Sequence, residues 1–180
     1  MSLDFTGKTV IVTGSGGGLG RSHALEFARR GANVVVNDLG GSVDGSGGSS
    51  EAADAVVKTI TDNGGKAISN GSSVTDDKGV ANMVEQTLSE FGRIDVLVNN
   101  AGVLRDKSFS NMPMSDFEFV VDVHLMGTVK VTHAVFPIMK EQNYGRIVVT
   151  TSSSGLYGNF GQSNYGAGKM GVVGMMNTLE

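Results

Sequence analysis

The stretch Val10-Ile11-Val12-Thr13-Gly14-Ser15-Gly16-Gly17-Gly18-Leu19-Gly20 decides the fold. Its first three residues form an apolar run suited to a buried strand. Beyond the glycines, Ala24, Phe27 and Ala28 recur at helical spacing and mark an amphipathic helix. A strand, a glycine turn and a helix in that order make an anion site. Glycine lets the backbone bend tightly and approach a ligand. The free N–H groups of the first helical turn, aided by the helix dipole, then point at negative charge. The spacing is Gly14-xxx-Gly18-x-Gly20, not the commoner G-x-G-x-x-G, because position 19 is Leu. Gly14, Ser15, Gly18, Leu19 and Gly20 are the first candidate cofactor-binding residues.

Working outward, short apolar runs alternate with helical segments. Strands are predicted at 9–13, 33–37, 66–69, 95–99 and 146–150. The runs 33–37 and 146–150 are continuous, as expected of strands buried on both faces. Ala53, Val56, Val57 and Ile60 form one helical stripe, and Val80, Met83, Val84, Leu88 and Phe91 another. Ser115 with Glu118 reads as a capping box opening a long helix of about 115–140. A further helix starts near Asn164. The Gly/Ser-rich segment 39–50 reads as a loop, because the strand–helix pattern continues beyond it. This alternation predicts an α/β fold, a Rossmann-like doubly wound parallel sheet with helices on both faces. Residues 1–180 read as a single dinucleotide-binding domain.

Composition excludes several classes. The 180 residues are 39% hydrophobic, enough to bury a core. The net charge of −4 and the lack of a basic run argue against nucleic acid and anionic membranes as partners. No apolar run approaches the ~20 residues of a membrane span. There is no cysteine, so no disulfide or thiolate metal site is expected. His23, His124 and His133 lack metal-ligand spacing, so no metal is expected. The start Met1-Ser2-Leu3-Asp4-Phe5 does not read as a secretion signal.

In an open parallel sheet, ligands bind at the carboxyl ends of the strands. Those ends carry Gly14, Asp38, Ser73-Val74, Asn99-Asn100-Ala101-Gly102 and Ser152. A carboxylate at Asp38 can accept hydrogen bonds from the ribose hydroxyls of NAD and would repel the 2′-phosphate of NADP. Tyr165 and Lys169 stand at i, i+4, on one helix face. A tyrosine is mostly protonated at neutral pH, but a nearby ammonium favours its phenolate. A hydroxyl such as Ser152 can hold a substrate oxygen beside it.

Thr13-Gly14-xxx-Gly18-x-Gly20, Asn99-Asn100-Ala101-Gly102, Ser152 and Tyr165-xxx-Lys169 together resemble the short-chain dehydrogenase/reductases. The resemblance runs from about residue 5 to the end. It implies that Tyr165 is the catalytic acid/base and that Lys169 lowers its pKa and holds the nicotinamide ribose. Ser152 would orient the substrate oxygen. Asn99, Ala101 and Gly102 would meet the cofactor, and Ser73-Val74 would lie near the adenine. His124 stands where the family carries an asparagine of its proton relay, and is a further catalytic candidate. A closer resemblance, to the (3R)-hydroxyacyl-CoA dehydrogenases of the family, is carried by Val36-Asn37-Asp38-Leu39-Gly40-Gly41, by residues 102–109 and by residues 157–162. It implies an NAD-dependent oxidation of the 3-hydroxyl of a (3R)-3-hydroxyacyl-CoA to 3-oxoacyl-CoA in fatty acid β-oxidation. The implied setting is a homodimer, peroxisomal in a eukaryote and otherwise cytoplasmic. The alternatives are a 3-oxoacyl-carrier-protein reductase, a hydroxysteroid or sugar-alcohol dehydrogenase, or a non-catalytic NAD-binding fragment. Arg105 and Lys107 are the obvious cations for CoA phosphates. Family members continue past the helix in which Glu180 falls. The resemblance therefore implies a C-terminally truncated domain, inactive and aggregation-prone alone, with 146–150 at the sheet edge.

Overall fold

The computed structural model describes residues 3–179. Five parallel strands, β1 (Thr9–Thr13), β2 (Asn33–Asn37), β3 (Lys66–Asn70), β4 (Val96–Asn99) and β5 (Arg146–Val149), form one sheet in the order β3-β2-β1-β4-β5. The helices are α1 (Gly18–Arg29), α2 (Glu51–Asp62), α3 (Asp77–Phe91), α4 (Met114–Val121), α5 (Gly127–Glu141), α6 (Ser153–Tyr157) and α7 (Ser163–Met176). The chain leaves β1 toward β2 and β3, then crosses back to β4 on the other side of β1. The switch point therefore lies between β1 and β4, where the glycine turn and the Asn-Asn-Ala-Gly turn emerge side by side.

The two-residue period of the central strands divides the core. Val10, Val12, Val34, Val36, Val96 and Val98 face α1 and α2, packing on Ala24, Ala53, Val56 and Ile60. Ile11, Val35 and Leu97 face the other way, onto Val80 and Met83 of α3 and Val131, Val135 and Met139 of α5. Both faces are covered, which is why β1, β2 and β4 read as unbroken apolar runs.

Three expectations need correction. β5 is not buried on both faces: Arg146 and Val148 are exposed, with Val148 at 48%. It borders the sheet, and no strand flanks its outer side among the described residues. Ser115 does not cap the long helix. The helix starts at Met114 behind Pro113, which already holds the extended N-cap conformation, so Ser115 falls inside the first turn. The helix is also interrupted by a π-helical turn over Asp122–Met126 before α5. Finally, Met114–Glu141 is a 28-residue run long and apolar enough, by those measures alone, to cross a membrane. Its buried residues, Val120, Val131, Val135 and Met139, mark it as a core helix.

At the opposite rim, Asp95 is fully buried and accepts from Thr9 N–H at 2.9 Å, Arg93 Nε at 2.6 Å and Lys8 Nζ at 3.3 Å. Replacing it strands a buried N–H at the start of β1. Asp95→Ala is expected to lower stability by about 2–3 kcal/mol in urea unfolding, with no change in the slope.

Candidate active site

The glycine turn is built by close approach of two strand ends. Gly14 has φ +63, and a Cβ there would lie 2.7 Å from Ala101 Cα. A Cβ on Gly20 would run into the Gly14 carbonyl and Asn100 Nδ2. Thr13 Oγ1 accepts from the N–H groups of Asn100 and Ala101 at 3.0 and 3.1 Å. Asn100 Nδ2 donates back to the carbonyls of Thr13 and Gly14 at 3.0 and 2.9 Å. Thr13 and Asn100 were legible only as motif members. Their role as the fastening between the two turns appears in the tertiary structure.

Helix α1 opens at Gly17 with no side-chain cap and no acidic residue in its first turn. Its leading N–H groups are therefore available to an anion. Gly18 and Leu19 stand exposed at this opening. Ser15 is turned inward instead: its hydroxyl donates to Val12 O at 2.7 Å, and its N–H to Asn37 O at 3.0 Å. Asp38 is half-buried at the end of β2. Its two carboxylate oxygens accept from Gly16 N–H and Gly40 N–H, each at 2.7 Å. The carboxylate is thus fixed beside the glycine turn with acceptor capacity left over. Val74 packs under Gly127 at the far end of the rim, and Ser73 Oγ pairs with Thr75 Oγ1 at 2.9 Å. The Asn99 side chain is buried and donates to Thr132 Oγ1 at 3.0 Å, while its carbonyl accepts from Thr150 N–H at 3.0 Å. Ala101 and Gly102 follow on the same turn.

These features fit a dinucleotide. The uncapped helix end suits a pyrophosphate, the Asp38 carboxylate a ribose diol, and the glycines leave the space that Cβ atoms would fill.

The reactive groups lie beyond β4 and β5. Ser152 ends the β5 segment and caps α6, its Oγ accepting from Ser154 N–H at 3.2 Å. Tyr165 is on the first turns of α7, half-buried. Lys169, one turn later, is 5% exposed, and its Nζ lies 5.6 Å from the Tyr165 ring centroid. That ammonium donates to Thr150 O at 2.6 Å. Burial pushes its pKa down to about 8. His124, on the π-helical turn, is 3% exposed and meets the Tyr165 ring edge-on, with centroids 5.0 Å apart. Its Nε2 lies 3.0 Å from Val103 N and 2.8 Å from Val103 O, and the tautomer decides which it serves. The absence of a side chain at Gly102 makes room for the ring. Burial, then repulsion from Lys169, pushes the His124 pKa down to about 4. The imidazole is accordingly neutral at neutral pH, a packed partner of Tyr165 with no charge of its own.

The cations expected for a phosphate are engaged. Arg105 and Lys107 pair with Asp116 at 3.0 and 3.2 Å, and Arg105 stacks on Phe119 at 4.1 Å. No cluster of metal-ligating side chains occurs among the described residues.

The fold and this cluster suit a nicotinamide-nucleotide-binding oxidoreductase. The family profile described as short chain dehydrogenase matches residues 8–180, and the chain belongs to that family. It is 54% identical over 98% of its length to the peroxisomal multifunctional enzyme type 2 of Drosophila melanogaster, of which it spans 29%. It is 52% identical over 99% of its length to the peroxisomal hydratase-dehydrogenase-epimerase of Saccharomyces cerevisiae, of which it spans 20%. Among solved structures, a 7α-hydroxysteroid dehydrogenase complexed with NADH and a 7-oxo bile acid superposes with a TM-score of 0.87. The two are 30% identical, and the match covers 96% of this chain and 64% of that one.

The depressed pKa of Lys169 has a thermodynamic signature. Between pH 8 and 10.5 the unfolded chain holds this proton more tightly than the folded one, so stability rises with pH across that window. Compared with Lys169→Met, the wild type is expected to gain on the order of 3 kcal/mol from pH 8 to 10.5. Paired urea titrations at several pH values measure the difference.

Proposed function

We propose that the chain is an NAD-dependent dehydrogenase acting on the 3-hydroxyl of (3R)-3-hydroxyacyl-CoA, within fatty acid β-oxidation. The observation that carries the chemistry is the buried Lys169 beside Tyr165 on one face of α7, with Ser152 on the neighbouring helix cap. The acyl-CoA substrate is supported by the identity to the peroxisomal multifunctional relatives. The same likeness supports a peroxisomal location in a eukaryotic source; in any other source the reading is cytoplasmic. A homodimer through the long helix 114–141 and α7 is part of this reading.

Each residue has a defined task. Tyr165, as phenolate, takes the proton of the substrate hydroxyl. Lys169 favours that phenolate by charge while its ammonium is anchored on Thr150 O. Ser152 Oγ and the Tyr165 hydroxyl hold the substrate oxygen as its charge changes. His124 backs the tyrosine ring. Gly14, Gly18, Gly20 and Asp38 hold the cofactor, with Lys169 on its nicotinamide ribose. Bound NAD supplies the hydride acceptor.

Tyr165→Phe is expected to lower kcat by ~10²–10⁴-fold with (3R)-3-hydroxyacyl-CoA and to leave the NAD dissociation constant within about twofold. Retention of more than about a tenth of the wild-type rate would remove Tyr165 from the chemistry. In this reading NAD is preferred because the Asp38 carboxylate, whose hydrogen bonds come from the backbone N–H groups of Gly16 and Gly40 and not from a cation, would repel a 2′-phosphate. Calorimetric titration should give tighter binding of NAD than NADP. In Asp38→Ala the gap should narrow by about 1–3 kcal/mol.

A further inference from the structure

The segment after β2 is a closed loop with a docked tip. Nine of the eleven residues 40–50 are Gly or Ser, and Val43, the one apolar side chain among them, is 71% exposed. A chain of that composition has no apolar packing of its own to order it. Hydrogen bonds and one close approach do so instead. The neck is pinched where Ser49 N–H donates to Leu39 O at 3.1 Å. The tip is folded on itself, Ser42 N–H donating to Ser46 O at 2.8 Å and Ser46 N–H to Asp44 Oδ1 at 3.0 Å. It is then held from far along the chain. Leu104 N–H donates to Val43 O at 2.9 Å, and Arg105 Nε to Asp44 O at 3.0 Å. Gly45 lies so close to Phe119 that a Cβ there would fall 2.7 Å from the ring.

The other side of this contact is anchored. Arg105 also donates from Nη1 to Asp116 Oδ1 at 3.0 Å and stacks on Phe119. Its carbonyl accepts from Nδ2 of the fully buried Asn164 at 3.1 Å, and Asn164 Oδ1 in turn accepts from Tyr165 N–H at 2.8 Å. β2 and β4 flank β1 in a parallel sheet, so their carboxyl ends share one rim with the glycine turn between them. A loop that leaves β2 and docks on the turn after β4 crosses that rim. It spans the crevice in which an open parallel sheet binds its ligand. Compact loops closed at the neck, with small residues to absorb a hinge motion, serve as lids.

We infer that Arg105 is a positioning residue, the latch of a strap formed by residues 39–50 that crosses the crevice and retains the nucleotide, so that undocking of the strap sets the rate of cofactor exchange. The inference rests on the reading of the crevice as an NAD site. Arginine suits the latch because one planar fork serves the Asp44 carbonyl and the Asp116 carboxylate together.

The test is NADH dissociation by stopped-flow fluorescence, with hydrogen–deuterium exchange of segments 39–50 and 103–105 measured with and without NADH. Arg105→Met keeps a side chain against Phe119 and loses the guanidinium. Gly45→Ala breaks the same contact from the strap side, since its Cβ meets Phe119 at a backbone φ of +84. Lys107→Ala removes the other cation on Asp116, which has no hydrogen bond to the strap among the described residues. Arg105→Met and Gly45→Ala should each release NADH about tenfold to a hundredfold faster than wild type, while Lys107→Ala stays within about twofold. Both segments should exchange faster in the first two variants, and NADH should slow both in wild type. If Arg105→Met does not fold, Gly45→Ala, on an open loop, decides alone. NADH release no faster in the variants that fold overturns the latch and leaves the NAD reading standing. So does an equal acceleration in Lys107→Ala. Exchange as fast in wild type as in the variants shows a strap that is not docked, and overturns the latch too. Failure of wild type to bind NADH overturns the NAD reading, and the latch with it.

Discussion

The contact between the turns after β1 and β4 governs the rest of this structure. Two strand ends meet so closely that Gly14 and Gly20 tolerate no side chain, and four hydrogen bonds through Thr13 and Asn100 lock them together. Each bond is worth only about 0.5–1.5 kcal/mol net, but they act on one joint. That joint sets where α1 begins, and so where its uncapped N–H groups point. It also fixes the turn carrying Ala101 and Gly102, which leaves the space occupied by His124. The glycine turn and the cluster of His124 and Tyr165 are thus fastened to the same joint.

Lys169 shows what such a site costs. A lysine ammonium is kept almost out of water, with Thr150 O as its hydrogen-bond acceptor and no carboxylate paired with it among the described residues. A carboxylate partner would restore its pKa but would also neutralise its charge. Desolvation without neutralisation leaves an uncompensated ammonium 5.6 Å from the Tyr165 ring centroid. The neutral His124 fits the same logic. A second positive charge there would repel Lys169, and burial prevents it.

The two loops above α6 and α4 differ in character. The loop at 103–109 carries Arg105 and Lys107, both held by Asp116, whereas the segment 153–168 is uncharged and exposes Tyr157 and Phe160. Backbone and side-chain bonds tie the two into one wall.

By itself the sequence determined the sheet and its helices, because β1, β2 and β4 are apolar on both faces and strand and helix periods alternate cleanly. It also carries the residues on which the site reading rests: the glycine spacing, Asp38, Ser152, Tyr165 and Lys169 are local signals tied to fixed positions on strands and helices. Tertiary structure decided what depends on neighbours distant along the chain. β5 reads as a buried strand, but exposure depends on what lies beside it, and Arg146-Ile147-Val148-Val149 holds no information about that. Ser115 satisfies a capping pattern, yet Pro113 fixes the helix start two residues earlier. Ser15 and Asn99 read as ligand contacts, but their side chains are drawn inward by Val12 and Thr132. Asn100 and Thr13, quoted as pattern members, became the fastening only when β4 was laid against β1. Hydrogen bonds between residues 87 apart in sequence leave no periodic trace, and only the folded chain brings them together.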